Sequence, residues 1–249
     1  MNRSLFASAV VVVGVVAFAS VGCAGSTDSP ADGTPEKNAS ASTCALAVGE
    51  DTCARFPELS PDSNAALAEA TWLAGRTRAT VASLEAGCNE ILDDLGLERP
   101  APQAGATASA RATTACNAAQ AALAATNPGR LAMKLTPPSC HPSSPPACIR
   151  APDLTTCEKP EITIDASETN TPARREYADL VRRRIPTFLA ARDETKTIAQ
   201  RFTKVMIDLG QRNDFGPCST PVTEIAKASA EEMVTSMRIV AAILANVGT

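Results

Sequence analysis

Leu67, Ala70, Ala74, Thr77, Val81, Leu84, Cys88, Ile91 and Leu95 recur at alternating steps of three and four. That spacing lays one narrow apolar stripe along a single long helix from Ser60 to Gly96, with small residues in its first half and large ones in its second. Its ends are marked by Ser60 as cap, Pro61 at the first helical position, and Gly96 suited to the left-handed conformation just past the last turn. Phe56 or Leu59, before the cap, can staple onto the first turns. Such a stripe predicts other helices to cover it.

Three more helices follow from the same pattern. One runs roughly from Ala108 to Thr126, turning Cys116, Ala119 and Leu123 inward and stopping at Asn127-Pro128-Gly129. A long one from Pro172 to Leu209, capped by Thr171, carries Tyr177, Val181, Ile185, Phe188, Ile198, Phe202, Val205 and Leu209. Pro186 should kink it near Arg182 or Arg183. The last opens at Thr220-Pro221, with Val222, Ile225, Ser229, Met233, Met237, Val240 and Leu244 on its inner face.

Between the two helical pairs, residues 131–165 hold seven of the chain's 18 prolines together with Cys140, Cys148 and Cys157. This reads as a loop held by disulfides, its backbone unsuited to ladder or helix. It is bracketed by Leu131–Leu135 and Glu161–Asp165, two alternating runs able to pair as a small ribbon. The expected fold is all-α: an irregular up-down bundle of about four helices in one domain, residues 44–249. The first hairpin is 44–130, the Pro/Cys-rich loop 131–170 and the second hairpin 171–249. Both hairpins open with Ser/Thr-Pro and contain Asp-Leu-Gly, which suits a duplication and equally suits the generic start and stop signals of any helix.

Composition supports helices, since aromatics make up only 3% of the chain while alanine is abundant. The net charge of −4 lacks the basic footprint of a nucleic-acid binder. Charge also separates the elements: Cys44–Pro100 carries ten acidic and four basic residues, Pro172–Lys204 nine basic and four acidic. Two long helices of opposite sign are expected to be neighbours.

The N-terminus has the anatomy of an export signal, residues 1–22, with Arg3 ahead of the apolar run Leu5–Ala19. Gly22-Cys23 resembles the bacterial lipoprotein signal, in which the cysteine is lipidated and becomes the mature N-terminus. Ser20 departs from that pattern, and Ala17-Phe18-Ala19 offers ordinary cleavage after Ala19; an uncleaved anchor is a third option. With Cys23 set aside for lipid, eight cysteines remain as disulfide candidates: Cys44, Cys53, Cys88, Cys116, Cys140, Cys148, Cys157 and Cys218. Residues 23–43 are polar, small and Pro-containing, as a flexible tether would be.

Candidate chemistry is thin. His141, the only histidine, lies in Cys140-His141-Pro142, where an exposed or packed loop residue outweighs a catalytic base. Zinc on Cys140, His141, Cys148 and Cys157 lacks close C-x₂-C pairs, so no metal and no cofactor is expected. Adjacent carboxylates on a helix diverge by about 100° and share no site. Arg182-Arg183-Arg184 with Arg174, Arg175 and Arg192 could meet an acidic partner, lipid headgroups or phosphate-bearing polysaccharide; a solvated face partly neutralised by the first helix is the plainer reading. No phosphate loop, nucleophile elbow or H-E-x-x-H occurs.

Taken with the signal ahead of Cys23, the segments Ala86-Gly87-Cys88, Ala115–Ala119 and Pro137–Cys140 resemble uncharacterised, cysteine-bearing lipoproteins of myxobacterial type. The resemblance implies export and helical structure and implies no activity. The expectation is therefore a non-enzymatic cell-envelope protein, anchored by an N-terminal lipid to a bacterial membrane or secreted. Ala24, where an inner-membrane lipoprotein would carry Asp, points to the outer membrane. Its partner would be an envelope protein or polysaccharide. The alternative is a small apolar ligand held between helices where Ala70, Ala74 and Thr77 leave room.

Overall fold

The computed structural model describes residues 44, 56–142, 149 and 155–247. Contacts divide the chain into Met1–Ala41 and Ser42–Thr249, and all described residues belong to the second unit. The signal, Cys23, the tether, Cys53 and Cys148 lie outside the described residues.

Four helices form the bundle: α1 (Pro61–Asp94), α2 (Ala108–Thr126), α3 (Pro172–Gly210) and α4 (Ser219–Val247). Helix α1 packs against all three others and α4 does the same, so α2 and α3 face each other across the α1–α4 pair. Local chemistry accounts for the helix ends. The Ser60 hydroxyl accepts from the Ser63 N–H at 3.2 Å, and Pro61 follows at a position whose N–H would be an orphan anyway. At the far end Gly96 adopts φ +66°. Its N–H reaches the Asp93 carbonyl and that of Leu97 the Leu92 carbonyl, closing α1 with both bonds of a Schellman motif. Thr107 and Thr171 cap α2 and α3 in the same way as Ser60.

The buried face of α1 is wider than a coiled-coil seam. Leu73 and Leu92 are buried beside the expected stripe, because three helices cover α1 rather than one. Helix α3 runs on through Pro186, which is itself buried. The inner line of α4 departs from expectation at Met237, which is 43% exposed, while Ser236 one residue earlier is fully buried. The line runs instead through Ser229, Ser236, Val240, Ile243 and Val247.

Between the hairpins, β1 (Met133–Thr136) pairs antiparallel with β4 (Glu161–Ile164), Met133 opposite Ile164. Ile162 and Ile164 point into the core. The expectation that the intervening loop forms no ladder is overturned. There β2 (Cys140–Pro142) pairs with β3 (Thr155–Cys157), placing Cys140 directly opposite Cys157. Pro142 ends its strand, where its missing N–H interrupts nothing.

Three disulfides join described residues: Cys44–Cys218, Cys88–Cys116 and Cys140–Cys157. The first ties the lead-in before α1 to the short 3₁₀ helix Asn213–Cys218 that precedes α4. The second staples α1 to α2 inside the core, and the third closes the second ribbon.

The core is two clusters rather than one. One gathers Cys44, Leu59, Leu67–Ala74 of α1, Ile198–Leu209 of α3, Cys218 and Val222. The other holds Val81–Leu92 of α1, most of the inner face of α2, Tyr177–Ala191 of α3 and Ile239–Val247 of α4. Between them lies a waist of buried hydroxyls: Thr77 and Thr80 on α1, Thr195 on α3, Ser229 and Ser236 on α4. The hydroxyls of Thr77, Thr80, Thr195 and Ser236 each donate to the carbonyl four residues earlier in the same helix. A buried hydroxyl satisfied within its own helix costs little and asks nothing of a neighbour.

Candidate functional site

The charge asymmetry between α1 and α3 resolves into a ladder of ion pairs along their seam. Near one end Glu69, almost fully buried, meets the guanidinium of Arg201. One rung on, the order of sign reverses and Arg76 of α1 binds Glu194 of α3 at 2.5 Å. The Arg76 guanidinium also lies 5.3 Å from the centre of the Trp72 ring, so Trp72 serves as the flank of this rung. At the other end Arg184 engages both Glu90 and Asp94, the latter at 2.7 Å, and Arg183 approaches Asp94 at 3.4 Å. Hydrogen bonding from Arg184 holds the Asp94 carboxyl below its ordinary range despite partial burial.

Of the arginine patch, only Arg183 and Arg184 belong to this ladder. Arg174 bonds Glu168 at 2.6 Å and donates to the carbonyls of Glu168 and Arg130. Arg182 pairs with Asp179 and donates to the Ile164 carbonyl, fastening β4 to α3. Arg192 reaches its neighbour Asp193. Of the six arginines, Arg175 alone has no ion pair among the described residues. The structure thus brings Arg183 and Arg184 together with α1, and disperses Arg174, Arg182 and Arg192 among separate local partners.

His141 lies exposed in β2 opposite Thr156, next to a cysteine whose sulfur is bonded to Cys157. As a disulfide, Cys140 and Cys157 present no thiolate to a metal.

The small residues of α1 do not line an opening. Ala70, Ala74 and Thr77 are at most 2% exposed, the two alanines packed in the cluster with Ile198 and Phe202. Close approach recurs further along, where a Cβ on Gly87 would lie 3.3 Å from the Phe188 ring. Described residues bound two clefts that open to solvent. One, of about 310 Å³, lies under the α1–α2 connection, with Asn89, Arg99 and the Glu85–Arg111 pair among its lining groups. The other, of about 300 Å³, is flanked by Glu69, Arg201, Lys204 and Arg212 at the end of the ladder. Both are polar-rimmed and shallow, unlike the enclosed apolar pockets that hold small hydrophobic ligands.

Two polar groups gain strong partners that sequence spacing did not reveal. Asp214 receives the Ser63 hydroxyl and the Ser60 N–H, and these bonds hold its carboxyl at about 2. Glu232, at the waist, is pushed upward by burial, with Arg78 at 3.6 Å opposing the shift. Asn64 was equally silent in the sequence, yet its amide ties together Phe56, Leu59 and Ser60.

Among the described residues no helix is long and apolar enough to cross a membrane. Comparison with family models, curated proteins and solved structures finds no match to this chain.

Proposed function

We propose that this is an exported cell-envelope protein, anchored by lipid at Cys23, whose helical bundle has a non-catalytic binding or structural role. The observation that carries the reading is the set of three disulfides, which use Cys44, Cys88, Cys116, Cys140, Cys157 and Cys218. Disulfides persist in oxidising compartments outside the cytoplasm. They draw cysteines from the lead-in, α1, α2, the 3₁₀ helix before α4 and the second ribbon, as a domain held for durability would. The lipoprotein-like Gly22-Cys23 stands ahead of the bundle by a polar stretch suited to holding it off a surface. Ion pairing along the α1–α3 seam supports a structural use of the charged residues.

The test is the intact mass of native protein extracted from membranes, measured before and after reduction and alkylation. The expected chain starts at Cys23 and carries a diacylglyceryl mass, with thiols appearing only on reduction. A chain starting at Ser20 without lipid, or free thiols at the six bonded cysteines, overturns the reading.

A further inference from the structure

The outward turn of Met237 leaves α4 with a second apolar line that the described residues leave largely open, only Ala230 being half-buried. Ala230, Val234, Met237, Ala241 and Ala245 follow one another at steps of four, three, four and four. Val234 is 47% exposed and Met237 43%, and Ala241 and Ala245 are exposed with them. Glu231 and Arg238 flank the line on one side, both exposed and neither in an ion pair among the described residues. Most other arginines of the bundle are paired, so this separation of one glutamate and one arginine by two turns is conspicuous.

We propose that this face of α4 packs on the same face of a second copy of the chain, antiparallel about a two-fold axis passing between Val234 and Met237. The charges select that occupant and that direction. In an antiparallel pair Val234 of one copy lies against Met237 of the other, and Ala230 against Ala241. Glu231 then faces Arg238 of the second copy, and two-fold symmetry repeats the contact. A parallel pair would carry the Glu231–Arg238 flanks of the two copies to opposite sides of the seam, where neither charge meets an opposite one. The alanines at 230, 241 and 245 let the two helix backbones approach closely. Exposed Lys227 extends the same line, and the antiparallel pairing carries it to the C-terminal end of the second α4, where a cation is favoured.

The experiment is sedimentation of the full native chain in detergent, at about 100 μM, where a complex of micromolar Kd is nearly full. The wild type is expected to sediment as a dimer. Glu231→Arg and Arg238→Glu should each weaken self-association by about tenfold or more, since each sets like charges together twice. Mixing the two variants one to one should restore the dimer, because a chain with arginine at both positions then meets one with glutamate at both. That recovery also shows that both variants are folded. A monomeric wild type, single variants that associate as well as wild type, or a mixture no tighter than its components overturns the proposal.

Discussion

The Asp214 carboxylate accepts the Ser63 hydroxyl at 2.7 Å across 151 residues of sequence. Its other oxygen takes the N–H of Ser60. One side chain on the 3₁₀ helix before α4 thereby braces the first turn of α1. The Cys44–Cys218 bond fixes the same two regions covalently.

This relationship makes an acid limb of stability. The folded Asp214 carboxyl is held at about 2, by Ser63 first and then Ser60, against an ordinary value of 3.8. A carboxyl depressed on folding contributes stability that is complete above its unfolded pKa and disappears as pH falls through the folded one. The contribution of Asp214 should therefore fade between about pH 4 and pH 2. Urea midpoints measured across that range should fall less steeply for Asp214→Asn than for wild type. Identical slopes would show that the brace is not the titrating element.

The buried Glu69–Arg201 pair should behave differently from the surface Arg99–Asp93 pair. Arg201→Met removes the guanidinium bound to a buried carboxylate and should cost about 3–5 kcal/mol. Glu69→Gln combined with Arg201→Met should recover part of that loss, because the buried negative charge is removed together with its cation. Arg99→Ala, whose side chain is 59% exposed, should cost about 0–1 kcal/mol. Denaturant unfolding of the four proteins decides between these expectations.

Gly87 of α1 lies directly against Phe188 of α3. A helix-interior glycine replaced by alanine ordinarily gains about 1 kcal/mol. Here the new methyl would stand 3.3 Å from a Phe188 ring that is itself fully buried, so that gain should be largely absent. Gly87→Leu has no such space and should cost about 1–3 kcal/mol. A stabilised Gly87→Leu variant in thermal unfolding would contradict the packing described.

The disulfides should rank by the chain they close. Cys44–Cys218 spans 174 residues, Cys88–Cys116 28 and Cys140–Cys157 17. In the chain-entropy account these correspond to about 5, 4 and 3 kcal/mol of restriction on the unfolded state. Paired Cys→Ser replacements should lower the melting temperature most for Cys44–Cys218. The core staple should lose more than its loop length implies, because it also leaves two hydroxyls in an apolar cluster.

Local interactions explain what could be read in advance. Helix caps and stops act within four residues, so Ser60, Thr171 and Gly96 announced the ends of their helices by identity alone. The 3,4 spacing of α1 and α3 is a property of one helix, and every residue of the α3 stripe is buried as expected. Alternation at residues 131–135 and 161–165 likewise foretold the first ribbon, a few residues of backbone with one apolar side. What reached beyond four residues was legible only in outline. Opposite charge made α1 and α3 neighbours, yet nothing in the spacing showed that Arg76 and Glu194 reverse the order of sign.

The sequence by itself determined the four α-helices of the described residues, where they begin and end to within a few residues, and which cysteines were available to join them. Tertiary structure alone decided which cysteines meet, because that depends on which helices lie side by side. It decided that a band of hydroxyls divides the core, since residues 77, 195 and 236 share a level only after three helices are aligned. It turned Met237 outward and Ser236 inward, a rotation of about 100° set by the neighbours of α4 rather than by its own periodicity. Long-range pairing is chosen by the packing of whole faces, and single-chain patterns carry the faces without their partners.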